Sequence, residues 1–260
     1  MNVRALFAAT CIPCVAFAAQ AEKSADPESG LSVKLGFDRT VGKYDQRRDT
    51  TLETSSVSAT YETDNYSFDV QASYLKETGP GRVIFLPGRR PIVIIGPDRR
   101  SSGMGDVTAG VTRYLLNEED HHLDLDLGAI AKLATASDSK GLGTGKNDLS
   151  VQAAFGKSLG DLGATLTTGY TFVGKAADLG LRNAAYGSLD VSYKWGEAFS
   201  AGATYSIGQT SARGTQGSRD LTAYLDFKPM KKVKIEVYLL KGYTTQSPDR
   251  GGGLTLSCEM

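Results

Sequence analysis

The stretch Ala184 to Gly208, AAYGSLDVSYKWGEAFSAGATYSIG, alternates apolar and polar residues on both sides of a tight turn at Gly196-Glu197. Ala185, Gly187, Leu189, Val191, Tyr193 and Trp195 share one parity, and Phe199, Ala201, Ala203, Tyr205 and Ile207 resume it after the turn. Successive side chains of a strand point to opposite faces, so each arm has one apolar and one polar face. Each arm has about 10 residues, the length a tilted strand needs to cross the hydrocarbon core of a bilayer. Tyr193, Trp195 and Phe199 crowd the apolar face beside the turn, where a membrane strand keeps its interfacial aromatics. A hairpin of a soluble sandwich would show the same alternation with its apolar face turned inward. The arrangement of all the hairpins separates the two.

The pattern recurs along the chain. Strands are predicted at Leu31–Phe37, Ser55–Glu62, Tyr66–Tyr74, Asp106–Tyr114, Leu123–Leu133, Leu149–Gly156 and Leu162–Phe172, then at the two arms above, then at Leu221–Phe227, Val233–Leu239 and Leu254–Met260, twelve in all. Connections after even strands are short, such as Thr63-Asp64-Asn65, Leu159-Gly160-Asp161 and Gly196-Glu197. Those after odd strands are long, and Glu77 to Gly103 is the longest. A sandwich has no reason to sort loop lengths by end. A transmembrane up-and-down antiparallel β-barrel does, with short periplasmic turns, long external loops and an even strand number. The expected fold class is therefore all-β, a barrel of about twelve strands. Aromatics fall at both predicted edges of its lipid face: Tyr61, Tyr66, Phe155, Tyr193, Trp195, Phe199 and Phe227 near short turns, and Phe37, Tyr74, Tyr170, Phe172 and Tyr205 near long loops.

Residues 1–21 read as a secretory signal peptide: Arg4, the apolar LFAATCIPCVAFA, and small residues suited to cleavage after Ala18 or Ala21. That apolar run is too short to span a membrane as a helix. Residues 22–29 are polar and expected to be a disordered periplasmic lead-in, which leaves 30–260 for the barrel. The expected location is the cell outer membrane. Cys11 and Cys14 lie in the leader, so maturation leaves Cys258 alone and no disulfide framework. With 29 basic and 29 acidic residues the chain lacks the basic excess of a nucleic-acid binder.

Two stretches carry a family resemblance: Ser102 to Leu115 (SGMGDVTAGVTRYL) and Lys132 to Lys157 (KLATASDSKGLGTGKNDLSVQAAFGK). The Ser-Gly-x-Gly-Asp strand start and the Lys-Gly-Leu-Gly-Thr-Gly loop resemble the outer-membrane transporter family of the MetA pathway of phenol degradation. The likeness covers 102–208 well and the flanks by strand pattern. It implies an outer-membrane channel for passive uptake or efflux of small solutes, aromatic compounds among them, and brings no catalytic residues. The chain departs from the family at Ala134-Thr135-Ala136-Ser137, where members often have Pro-Thr-Gly-Asp. It also ends in Cys258-Glu259-Met260, without the terminal aromatic typical of barrels handed to the outer-membrane assembly machinery.

The polar parity would line the lumen with Lys34, Glu62, Asp69, Gln71, Asp106, Asp124, Asp126, Lys132, Asp190, Lys194, Asp226, Lys234 and Glu236. Acids outnumber bases, so a water-filled bore would favour cations or neutral solutes. The other reading is that these charges pair across a narrow lumen and close it, leaving a structural or enzymatic barrel. No catalytic, metal or cofactor site is expected. His121 and His122 are adjacent and fall on a short turn, a poor metal pair. Gly141 to Lys146 lacks the glycine spacing of a phosphate loop and reads as an external turn needing positive φ. The stretch Arg82 to Ile95 (RVIFLPGRRPIVII) holds two apolar runs too short to span. They could pair as a hairpin around Pro87 to Pro91 and fold into the mouth as a gate. Arg82, Arg89, Arg90, Arg99 and Arg100 are candidates for that loop and for contacts with lipopolysaccharide phosphates.

Overall fold

In the computed structural model the described residues are 30–176, 179–212 and 215–260, with the Ile95 side chain left out. The expected signal peptide and polar lead-in lie outside the described residues. Among the described residues thirteen strands form one antiparallel sheet: β1 (Gly30–Gly42), β2 (Thr50–Glu62), β3 (Tyr66–Ile84), β4 (Ile92–Met104), β5 (Val107–Leu116), β6 (Asp124–Leu133), β7 (Asp148–Leu159), β8 (Leu162–Phe172), β9 (Ala184–Trp195), β10 (Phe199–Gly208), β11 (Ser218–Met230), β12 (Val233–Gly242) and β13 (Arg250–Glu259). β4 and β5 are two lengths of one stave, both paired with β3, so the barrel has twelve staves. It closes where β1 pairs with β13 from Ser32↔Glu259 to Val41↔Arg250. Closure leaves the wall no open edge, the condition for placing a sheet in hydrocarbon.

The two faces separate as the alternation demands. Tyr238 is 2% exposed and its neighbour Leu239 is 71% exposed. Every aromatic expected on the lipid face is exposed there. Several meet in pairs that broaden the interfacial rings: Phe199 stacks on Phe227 with centroids 4.8 Å apart, and Tyr193 packs edge-on against Trp195.

The strands outrun the sequence expectation at the long-loop end. β1 continues through Asp38 and Thr40, and β2 starts at Thr50, so the expected loop from Asp38 to Thr51 shrinks to 43–49. β3 runs to Ile84, and β4 occupies much of what reads as a loop from Glu77 to Gly103. At the other end the turn after β5 contains a single helical turn, α1 (Glu118–His121), capped by Asn117. His122 closes it at φ 62. Gly141 and Gly145 take positive φ, as expected of a turn.

Three inward tyrosines each face a glycine on the next strand: Tyr186↔Gly169, Tyr224↔Gly202 and Tyr238↔Gly253. A Cβ at Gly169, Gly202 or Gly253 would collide with the facing ring, so the missing side chain is what lets each ring lie across the wall. Gly202→Ala is therefore expected to cost about 1–3 kcal/mol through overpacking. Gly110→Ala, whose Cβ would meet only ordinary contacts at 3.6 Å, should stay within about 0.5 kcal/mol. Urea unfolding of the refolded barrel in micelles checks both.

Candidate functional site

The site is the bore at the long-loop end, and the chain fills it with its own hairpin. β3 and β4 pair beyond the wall through Val83↔Val93 and Ile84↔Ile92. The ladder shifts register between Pro80 and Arg82. This elbow is Gly79-Pro80-Gly81, with φ of 133° at Gly79 and 101° at Gly81, values that a residue with Cβ rarely adopts. A Cβ on Gly79 would collide with the backbone of Asp49 and Thr50. The bulge re-aims the hairpin from the wall into the lumen, a common use of such irregularities at barrel rims.

Polar bonds fasten the tip to distant staves. Arg90 Nε donates to Asp220 Oδ1 at 3.0 Å, and its Nη2 donates to Thr222 Oγ1 at 2.8 Å. Both partners lie on β11, five staves from β3 one way round and seven the other, so the bonds cross the bore. Arg90 is 8% exposed and Asp220 is 0%. Arg89 donates to Ser211 Oγ and to the Gln209 carbonyl. Thr171 Oγ1 of β8 donates to the Pro87 carbonyl at 3.0 Å. Gly88, at φ 78, sits against Tyr186 and Ser150, with no room for a Cβ.

Apolar contacts complete the plug. Val83 and Val93 pack with Tyr44 and Leu52 on one side. Ile84, Leu86 and Ile92 pack with Ala212, Leu179 and Leu181 on another, beneath the two loops that flank β9 and β10. Inward residues of an open bore would be wet. Ser150, Thr171 and Thr222 are all fully buried at this level.

Below the hairpin lies a pocket of about 20 Å³, room for a water molecule. Phe85, Leu86 and Pro87 roof it, and Thr54, Gln71, Thr108 and Lys132 are among its walls. Lys132 is held between Asp106 at 2.9 Å and Asp148 at 2.8 Å, all three buried. Asp106 stands in the break between β4 and β5, so this triad ties the split stave to β6 and β7. Deeper in, Asp190 accepts from Thr204 and Tyr224. Asp226 accepts from Ser200 and lies 3.9 Å from Lys234, with Glu236 opposite in register. Asp69 accepts from Thr60 and Ser67. Asp69, Asp190 and Asp226 are thus met by hydroxyls, and Asp106 and Asp226 by a lysine, contacts that make a buried carboxylate tolerable.

All thirteen candidate lumen residues are buried or half-buried on the inward face. Asp69, Asp106, Lys132, Asp190, Asp226 and Glu236 are buried. Lys34, Glu62, Gln71, Asp124, Asp126, Lys194 and Lys234 are half-buried, and Asp124 accepts from the Glu118 amide at the short-turn end. The five arginines separate. Arg89 and Arg90 are buried in the bore, which takes them out of reach of any lipid and corrects that expectation. Arg82 pairs with Asp138, Arg99 donates to the Lys140 carbonyl, and Arg100 is exposed. Sequence reading missed Asp38, Asp148, Ser150, Thr171, Asp220 and Thr222. Each lies at or beyond the edge of a strand drawn too short or is an inward hydroxyl.

A closed transmembrane barrel of the outer-membrane kind, its bore crossed by its own hairpin, is the class these observations define. The family model described as "Putative MetA-pathway of phenol degradation" matches residues 85–260, and the chain belongs to that family. No curated protein matches the sequence. Among solved structures, an outer membrane channel from Pseudomonas putida F1 superposes with a TM-score of 0.68 at 14% identity, over 91% of this chain and 97% of the other. The translocator domain of the autotransporter NalP from Neisseria meningitidis gives 0.53 at 12% identity, over 90% of each chain. The KdgM porin gives 0.51 at 10% identity, over 88% of this chain and 97% of the other. These likenesses establish a shared fold.

Removing one partner of a buried ion pair costs about 3–5 kcal/mol because it strands the other charge. Arg90→Ala should therefore speed amide exchange at Val83 and Val93 by roughly a hundredfold or more, while the amides of β9 keep their protection. The paired substitution Arg90→Met with Asp220→Leu should restore slow exchange. Hydrogen exchange read by mass spectrometry on hairpin peptides checks this.

Proposed function

We propose that the protein is an outer-membrane channel for passive movement of small solutes, with residues 82–95 as its gate. The observation that carries this is the Arg90–Asp220 contact across the bore. It is a polar fastening that can break and re-form, on a segment hinged at a glycine elbow. A purely structural plug could be closed more cheaply with apolar side chains, since a buried ion pair adds little net stability. With the hairpin swung out, the bore would present Lys34, Glu62, Asp69, Gln71, Asp106, Asp124, Asp126, Lys132, Asp190, Lys194, Asp226, Lys234 and Glu236 to water. The acid excess among them favours cations or neutral solutes. The family's description supports small aromatic compounds as cargo. No step of the proposal calls for catalysis.

A second reading, a structural barrel with a permanently closed lumen, draws on the depth of burial of Lys132 and Glu236. Single-channel recording in planar bilayers separates the two. The deletion of 82–95 is well placed, because a Cβ on Gly96 would lie 3.5 Å from the Gly81 Cα, so Gly81 and Gly96 can be joined directly. The channel reading expects brief, discrete openings in the intact barrel and long ones after deletion, with a reversal potential favouring cations. Silence in both, from protein of verified β content, would overturn it in favour of the closed barrel.

A further inference from the structure

The outer face carries a row of exposed bases just beyond its lipid-facing residues, and the row covers only half of the ring. Arg219 of β11, Lys241 of β12, Arg250 of β13, Arg39 of β1, Lys76 of β3 and Arg100 of β4 all lie on the outward parity and are exposed. Together with β2, these strands are consecutive around the barrel. Arg39 stands two residues past Phe37, Lys76 two past Tyr74, Lys241 two past Leu239, and Arg219 two before Leu221. That spacing sets these four charges one outward step above the apolar band, with Arg100 and Arg250 one step further, where a long stem can run along the strand while its head reaches the headgroup layer.

The same step on the other half carries no charge. Thr135, Asn147, Gly174, Asn183 and Gln209 occupy it on β6 to β10. Acids within the basic half are few. Glu53 of β2 lies between Arg39 at 3.6 Å and Lys76 at 2.7 Å, and Asp98 is held by Arg48. The half-belt therefore keeps a clear positive excess within two outward steps of the apolar band. Ordinary solubility does not require that, since loop tips can supply charge anywhere.

We propose that this half-belt is a docking surface for the phosphate groups of a phosphorylated lipid of the outer leaflet, of the diphosphorylated glucosamine type found in lipopolysaccharide. Guanidinium and ammonium heads at headgroup height match phosphate oxygens by charge and by hydrogen-bond geometry. Glu53 holds Arg39 and Lys76 in register and moderates the site. Of the five arginines around the hairpin, Arg100 alone belongs to this surface. The proposal rests on the barrel and its girdle and is independent of whether the lumen conducts.

Native mass spectrometry of the refolded chain in detergent tests it, with diphosphoryl lipid A and the same lipid stripped of phosphate as probes. The wild type should hold the phosphorylated lipid at least about tenfold more tightly, the weight of one charge-assisted hydrogen bond. Arg39→Gln, Lys76→Gln, Arg100→Gln and Lys241→Gln combined should abolish that difference. Lys140→Gln, Lys146→Gln, Lys175→Gln and Arg182→Gln combined make the same charge change elsewhere and should keep it. Glu53→Gln should tighten binding severalfold, and it decides the matter alone if the fourfold belt variant does not refold. Millimolar inorganic phosphate should leave the lipid bound. Equal binding of the two lipids, equal loss in both fourfold variants, no tightening in Glu53→Gln, or displacement by free phosphate would each overturn the proposal.

Discussion

A sheet in hydrocarbon has no water to satisfy its backbone, so its ladder must close on itself. In this chain β1 meets β13 over ten register pairs, and everything else follows from that closure. With strictly alternating side chains, closure turns one parity outward to lipid and gathers the other around a common axis. The outward parity can be apolar and rimmed with aromatics. The inward parity then becomes a ring of Asp, Glu, Lys, Thr and Ser whose charges must meet water, each other or an inserted segment. This barrel uses pairing and insertion together.

The inserted segment gives the molecule the apolar interior that a barrel lumen otherwise lacks. Val83, Ile84, Leu86, Ile92 and Val93 form small cores with Tyr44, Leu52 and Ala212 inside the mouth. Hydrophobic burial favours keeping the hairpin in. What makes the plug specific is polar: Arg90 to Asp220 and Thr222, Arg89 to Ser211, and Thr171 to the Pro87 carbonyl. Such bonds cost little when exchanged for water, whereas the apolar contacts resist leaving. Under the proposed gating, a segment held by both sits closed at rest and opens about the Gly79-Pro80-Gly81 elbow. The tyrosine rings laid over Gly169, Gly202 and Gly253 narrow the bore further without bending the wall.

The architecture was legible in the sequence because period-two alternation, paired with loops sorted by length, has few other physical solutions. Twelve staves and both aromatic rims follow from that alternation, with Trp195 and Phe199 at the short-turn rim and Tyr74 and Tyr205 at the other. Strand ends were less legible. Asp38, Thr40, Asp148 and Asp220 continue the inward parity, but charged and polar residues beside a loop look like the loop itself. The hairpin at Arg82–Ile95 stood out as apolar residues with no membrane to span. Its turn was legible around Pro87 to Pro91, but the elbow at Gly79-Pro80-Gly81 was not, because it lies inside what reads as one long loop. Nor was the destination of Arg89 and Arg90. A run of bases beside a loop suggests solvent or lipid, and only the three-dimensional closure of the ring brings Asp220 within reach of Arg90. The same closure assembles the basic half-belt from six strands far apart in the chain.

The central claim is that the hairpin itself keeps the bore dry. It is tested most directly by the reactivity of single cysteines placed at Ser150 and Thr171, in chains carrying Cys258→Ser, toward a charged water-soluble thiol reagent. The account predicts that both are protected in the intact barrel and become rapidly labelled when 82–95 is removed and Gly81 is joined to Gly96. Equal, fast labelling with the hairpin in place would contradict it.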